Sequence, residues 1–288
     1  MGYKTYHACE NGCTLFDGAH AKDESCYKCE SPRYEKIVGM RKPKAKKTVR
    51  YFPIIPQLQK LYSSPVIAKK MQWHRSKERI VDPDMLKHPA DGEDWLQFDK
   101  NWPQFGEEAG NVRLALATDE FSPFGGNAVP YSVWPVVVMP YNLPPDTCMK
   151  KEFNILTLLI SGPKSPGKCL NQLMRPLMDD LKQLWADGVV TYDAFRKRTF
   201  KMRAVVLWTI SDFPGLGMLG GIQKKGYKAC PICLDDLDSR HSHNRTYYVG
   251  ARRDLPVNHS LRKNKNIDGF QEKKKSRCLL YTSDAADE

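Results

Sequence analysis

Three groups of residues have the types and spacing to do chemistry. Cys9, Cys13, Cys26 and Cys29 follow the pattern C-x3-C-x12-C-x2-C. Each short loop delivers two thiolates to one side of an ion, so the set suits one tetrahedral zinc site. Four sulfurs leave no open position for a water nucleophile, which makes such a site structural; His7 is a competing ligand. The second group is Cys230 and Cys233 in ACPIC, followed by His241, His243 and His259. A C-x2-C knuckle needs two more ligands, and the histidines can supply them; buried thiols beside solvated histidines are the alternative. The third group is acidic: Asp119 in LALATDEFSP and Asp212 in LWTISDFPG each close an apolar run, with an aromatic close behind.

The elements that must position the acids follow from the hydrophobic pattern. VRLALATD reads as a strand ending at Asp119, and YSVWPVVVMPY (131–141) as a second, in which Pro135 predicts an irregularity or a sheet edge. FNILTLLIS (153–161) is a third strand. Leu170, Leu173, Met174, Leu177, Leu181, Leu184 and Trp185 then recur at helical spacing up to a stop at Gly188. RAVVLWTISD gives a fourth strand, from Arg203 into Asp212. In this β-β-β-α-β order the helical crossover lets the last strand lie parallel beside the first, which brings their C-terminal ends together. Two neighbouring carboxylates repel unless a cation lies between them, and Mg²⁺ takes such ligands together with substrate phosphates. The expected fold class is therefore α/β with an RNase H-like mixed sheet, whose site runs phosphoryl transfer with two metals roughly 4 Å apart. Pattern alone leaves a second reading open, in which the acids simply begin the turns at Pro123 and Pro214.

The bulk numbers restrict the partner. With 45 Lys+Arg against 33 Asp+Glu and a net charge of +12, the surface should attract polyanions, and nucleic acid is the first expectation. The N-terminus lacks a signal-peptide core and no window reaches the roughly 18 apolar residues of a membrane span, so an intracellular chain is expected. Its nine cysteines then read as thiols or metal ligands rather than as a disulfide framework. The expected order is a zinc ribbon (1–33), a basic linker with short helices (34–110), an incomplete RNase H-like core (111–225), a Cys/His zinc-binding insertion (226–260) and a basic tail (261–277). Within 34–110, YEKIVGMRKPKAKKTVR reads as an exposed linker, either laid along a phosphate backbone or solvated, and Trp95 and Trp102 read as local packing. RKRTFKMR (196–203), LRKNKN and EKKKSR read as phosphate contacts or solvated surface. The last segment, CLLYTSDAADE (278–288), resembles a translated sequencing adaptor and is set aside.

The segments RYFPIIPQL, MLKHPADGEDW, LATDEFSPFG, YNLPP, SGPKSPG, LWTISDFPGLGMLGG and GYKACPICLDD, in this order, resemble the transposases of CACTA (En/Spm-type) plant DNA transposons. The resemblance covers most of the chain to about Phe270. It implies an RNase H-like core with three acidic residues, of which Asp119 and Asp212 match the first two, while the third would lie on a helix beyond the point where the adaptor-like tail begins, so a fragment with two of the three acids is expected to cut little or nothing. It also implies Mg²⁺-dependent hydrolysis at transposon ends, attack of the freed 3′-hydroxyl on target DNA, self-association and a nuclear location. His259 in LPVNH matches a family histidine and is the expected third ligand beside Cys230 and Cys233, with His243 as the fourth; Ala251 stands where the family tends to have histidine. Glu120 replaces the glycine usual after the first aspartate. The competing expectation is a transposase-derived, zinc-containing DNA-binding protein that does not cut.

Overall fold

In a computed structural model, which describes residues 2–36, 43–82, 85–124, 131–221, 239–242 and 245–248, strands alternate with short helices along the chain. The strands are β1 (Lys4–Ala8), β2 (Lys47–Tyr51), β3 (Val112–Thr118), β4 (Trp134–Pro140), β5 (Ile155–Ile160), β6 (Val189–Asp193), β7 (Arg198–Met202), β8 (Ala204–Ile210), β9 (Ser239–Ser242) and β10 (Arg245–Tyr248). The helices are α1 (Ile54–Tyr62), α2 (Pro65–Lys70), α3 (Glu93–Asn101), α4 (Pro103–Glu107), α5 (Pro145–Cys148), α6 (Leu170–Leu173), α7 (Arg175–Ala186) and α8 (Phe213–Leu219). Six strands form one mixed sheet in the order β1-β2-β5-β4-β3-β8, while β6 with β7 and β9 with β10 are separate hairpins.

The centre of the sheet is where the sequence is most apolar. All but one residue of β3 is buried, as expected of a strand covered on both faces. It pairs antiparallel with β4 and parallel with β8, so the crossover through α7 returns the chain beside the strand that ends at Asp119. On α7, Leu177, Met178, Leu181 and Leu184 face the core with Pro176 in the first turn, where its missing N–H costs no hydrogen bond. Truncating Leu177, which is fully buried, to alanine should cost about 2–5 kcal/mol. Ala204 and Val206 of β8 join the main core, whereas Val205 packs with Phe98 of α3 and Phe105 of α4.

Several expectations are corrected. Pro135 lies in an interior strand, not at an edge, and the irregularity it predicts is a register shift between Val136 and Val137 where β4 meets β5. The single expected helix is two, α6 and α7, broken at Met174. The stretch RKRTFKMR, which carried no element in the sequence pattern, turns the β6–β7 hairpin and forms β7. The basic stretch 34–50 is only partly a linker, because its end is β2, which joins the sheet between β1 and β5. Lys47 is buried there, Lys46 pairs with Glu10 at 2.9 Å and Lys44 with Glu35 at 3.0 Å, so these cations are not laid out for phosphates. Trp95 is buried and stacks on Trp208, and Trp102 meets Trp185 edge-on, which is local packing as expected. Among the described residues no helix is long and apolar enough to cross a membrane.

Candidate metal centre and paired acids

The four cysteines sit on two similar turns. In the first, Ala8 bridges to Leu15, the Cys9 N–H donates to Thr14 O at 3.0 Å, and Gly12 takes a φ of +74°. In the second, Ser25 bridges to Pro32, the Cys26 N–H donates to Ser31 O at 2.9 Å, and Glu30 takes a φ of +59°. A left-handed residue other than glycine costs about 1 kcal/mol, so Glu30 is held by its surroundings. The turns bring all four Sγ atoms within 4.8 Å of one another, and Cys9 Sγ lies 3.4 Å from Cys29 Sγ. Zinc with bonds of 2.3 Å sets tetrahedral sulfurs roughly 3.8 Å apart, so the donor set fits that ion. Among the described residues it is the sole gathering of three or more potential metal ligands. His7 stays outside: its Nδ1 accepts from Arg33 Nε at 3.0 Å. Arg33 also donates to the carbonyls of Ala21 and Asp23 and lies 4.8 Å over the Phe16 ring, which ties the second turn to β1.

The thiols differ in how readily they ionise. Burial pushes Cys9 up to about 11 and raises Cys13 as well. Cys29 is exposed, and the hydrogen bonds of Ser31 Oγ and Asn11 Nδ2 to its sulfur bring it down to about 6. Binding zinc would convert all four to thiolates and release protons, with Cys29 as the sulfur that is already ionised at neutral pH. The cysteine module is docked on the helices of the sheet through a pair between Asp17 and Arg175, and through Gly12, where a Cβ would stand 2.8 Å from Cys169 Cβ.

The acids are set by strand register. Leu114 of β3 lies opposite Val206, but Ala115 lies opposite Trp208, so Leu207 is an extra residue in β8. The pairing then runs to Ala117 opposite Ile210, and two further residues along each strand come Asp119 and Asp212. Both are exposed at the same end of adjacent parallel strands. Asp119 Oδ1 accepts from the Glu120 N–H at 2.7 Å, an Asx-type turn. Asp212 Oδ1 accepts from the Gly215 N–H at 2.7 Å and caps α8, with Pro214 in the first turn. Each acid thus carries out the turn role that the sequence allowed, and its other oxygen makes no hydrogen bond among the described residues. Gly215 has to be glycine for this contact, because a Cβ would stand 2.8 Å from Asp212 Oδ1. No third potential ligand gathers with the pair among the described residues. Cys230, Cys233, His243 and His259 lie outside the described residues.

Two buried polar centres are additional to the sequence reading. Arg113 of β3 is fully buried, pairs with Asp99 and lies 4.6 Å over the Trp95 ring and 5.1 Å over Phe105. Asp193, also fully buried, accepts from the N–H groups of Phe195 and Arg196 at 2.9 Å and from Arg196 Nε at 2.7 Å, and Arg196 reaches Glu108 at 2.6 Å. A strand broken by D-A-F-R-K carries the Asx-turn signal for the second; nothing in VRLALAT separates the arginine of the first from a strand-end cation.

A family model described as "Transposase family tnp2" matches residues 83–287, a span that contains both aspartates, Cys230, Cys233, His243 and His259 and most of the 278–288 tail. No curated protein matches the chain.

Proposed function

We propose, given that the chain belongs to the transposase family tnp2, that it acts on DNA in the nucleus as a CACTA (En/Spm-type) transposase, with Asp119 and Asp212 as two ligands of a catalytic Mg²⁺ site. The observation that carries this reading is the matching register of the two acids at the ends of adjacent parallel strands. The strand order β5-β4-β3-β8, antiparallel except between β3 and β8, supports an RNase H-like core around them. Both carboxylates are exposed and retain an oxygen beyond the one used by the backbone, and a hard cation favours such oxygens. When bound, Mg²⁺ would polarise the scissile phosphate and lower the pKa of the attacking water or 3′-hydroxyl. The aspartates would fix its position, since their own backbone hydrogen bonds hold each carboxylate in one orientation. The four-cysteine module would hold a structural Zn²⁺, closed to substrate.

A second reading has a specific observation behind it. One oxygen of each acid is already accounted for by a turn or a helix cap, so the pair can be wholly structural in a zinc-containing DNA-binding protein that does not cut. Mg²⁺-dependent cleavage of transposon-end DNA by the transposase, compared with Asp119→Ala and Asp212→Ala, separates the two. Loss of cutting in both variants is the expected result; cutting at the wild-type rate by either removes that residue from the site. Titration of Mn²⁺ onto the chain gives an independent readout, and unchanged affinity in Asp119→Asn with Asp212→Asn would favour the structural reading.

A further inference from the structure

The β6–β7 hairpin has an inner and an outer face with different chemistry. Inward, Thr191, Asp193, Phe200 and Met202 are buried. Phe200 meets Tyr62 of α1 at 5.2 Å, the Ala194 N–H donates to Tyr62 O at 3.0 Å, and Gln59 donates to Val190 O at 3.1 Å. The ribbon is therefore fixed to the core along its length. Its acids are also committed: Asp193 and Glu108 hold Arg196, and Glu108 lies 3.7 Å from Arg198. Outward, the register places Val190 opposite Lys201 and Tyr192 opposite Thr199, all exposed, with Phe195 and Lys197 exposed at the tip. Lys197 and Lys201 form no ion pair among the described residues, nor does Arg203 at the base. The outer face thus has a surplus of cations interleaved with Tyr192 and Phe195, which are 55% and 45% exposed.

We propose that the outer face of the β6–β7 ribbon is a duplex-DNA contact, in which Lys197, Lys201 and Arg203 meet phosphates and Tyr192 and Phe195 pack on the sugars between them. The proposal rests on the reading of DNA as the substrate of this chain and adds a surface separate from the paired acids. A two-stranded ribbon has dimensions that the major groove admits, and phosphate contacts from its edge set affinity and position without reading sequence. The ribbon enters the N-terminal end of β8, whereas Asp212 follows its C-terminal end, so seven strand residues, about 20 Å, separate the two. A duplex touching both would be gripped well away from the bond to be cut.

The test is binding of fluorescent duplex DNA to the zinc-loaded whole chain in Mg²⁺-free buffer over a range of salt, with Lys197→Ala/Lys201→Ala/Arg203→Ala against a control that removes as much charge elsewhere, Lys77→Ala/Lys100→Ala/Lys150→Ala. Three lost phosphate contacts should lower the salt slope by roughly 2.7 and the affinity at 0.1 M salt by on the order of 10²-fold, while the control stays near wild type. Tyr192→Ala should weaken binding with the slope unchanged. Equal affinity of the ribbon and control variants overturns the proposal, and so does ribbon-dependent binding that favours single-stranded DNA or RNA over duplex. Circular dichroism and melting of the variants keep a folding defect from passing as either result. With Mg²⁺ left out the ribbon comparison does not draw on the acidic pair, whose failure shows in Mg²⁺-dependent cleavage instead, so failure of the acidic site and failure of the ribbon are separate outcomes.

Discussion

Asp212 allows the structural and the catalytic account of one residue to be measured apart. In Asp212→Ala the Gly215 N–H loses the acceptor that stands 2.7 Å away, and α8, only seven residues long, loses its cap. Removing an N-cap acceptor costs about 1 kcal/mol, which in a domain of this size lowers Tm by about 2–4 °C. Asp212→Asn behaves differently, because asparagine caps as well as aspartate does and its amide oxygen can accept the same bond. Its stability should stay within about 0.5 kcal/mol of wild type. The carboxylate charge is gone in both variants, so Mg²⁺-dependent DNA cleavage by the transposase that also carries the third acid should fall at least about 10²-fold in both. Gly215→Ala supplies a third arm: its Cβ would stand 2.8 Å from Asp212 Oδ1, so it should displace the carboxylate and lower melting while leaving the charge in place. Thermal denaturation and cleavage are read side by side. If Asp212→Asn melts like Asp212→Ala, the capping argument is wrong, and if Asp212→Asn cuts like wild type, the ligand assignment is wrong.

The chain should contain one equivalent of zinc at the four-cysteine site that disappears in Cys26→Ser/Cys29→Ser, and unchanged zinc content by atomic absorption would count against the site. In the zinc-free chain Cys29 lies below the ordinary thiol range, at about 6, so its ionisation favours the fold above the usual thiol pKa and that contribution is lost as pH falls through 6. Iodoacetamide at pH 7 should therefore label Cys29 ahead of Cys9, which burial holds at about 11; labelling at equal rates refutes the order. Asp99→Ala leaves the fully buried Arg113 unpaired and should cost about 3 kcal/mol in urea unfolding, with a loss under about 1 kcal/mol contradicting the pairing.

Much of the sheet was legible because its strands are short apolar runs with clear ends. LALAT and TLLI leave little choice of element, and the helical spacing from Leu170 to Leu184 implied the crossover that makes β8 parallel to β3. What escaped was whatever depends on partners distant in sequence. KTVRY reads as the end of a basic linker, and only the neighbouring edges of β1 and β5 make it a strand, with Lys47 buried as a consequence. The β6–β7 hairpin escaped because its inner face carries Asp193 and Thr191 rather than an unbroken apolar set, and a buried acid reads as polar until Arg196 is found beside it. The cysteine set was legible from spacing alone, since both pairs lie on local turns. The exclusion of His7 was not, because Arg33 reaches it from 26 residues away.

The extra residue in β8 has a consequence for which changes the acidic pair can survive. Before the shift the offset between β3 and β8 is the one that pairs Leu114 with Val206; continued unbroken, it would set Asp119 level with Ser211 and turn Asp212 to the opposite face of the sheet. Leu207 supplies the missing step. The facing of the two acids is therefore specified by a count of residues rather than by their identity. Replacing any one apolar side chain between Ala204 and Ile210 by another leaves that count intact, whereas inserting one more residue there, with the shift kept, sets Ser211 level with Asp119 without altering either aspartate. A damaged copy of this protein can thus keep both acids in its sequence and have lost the pair.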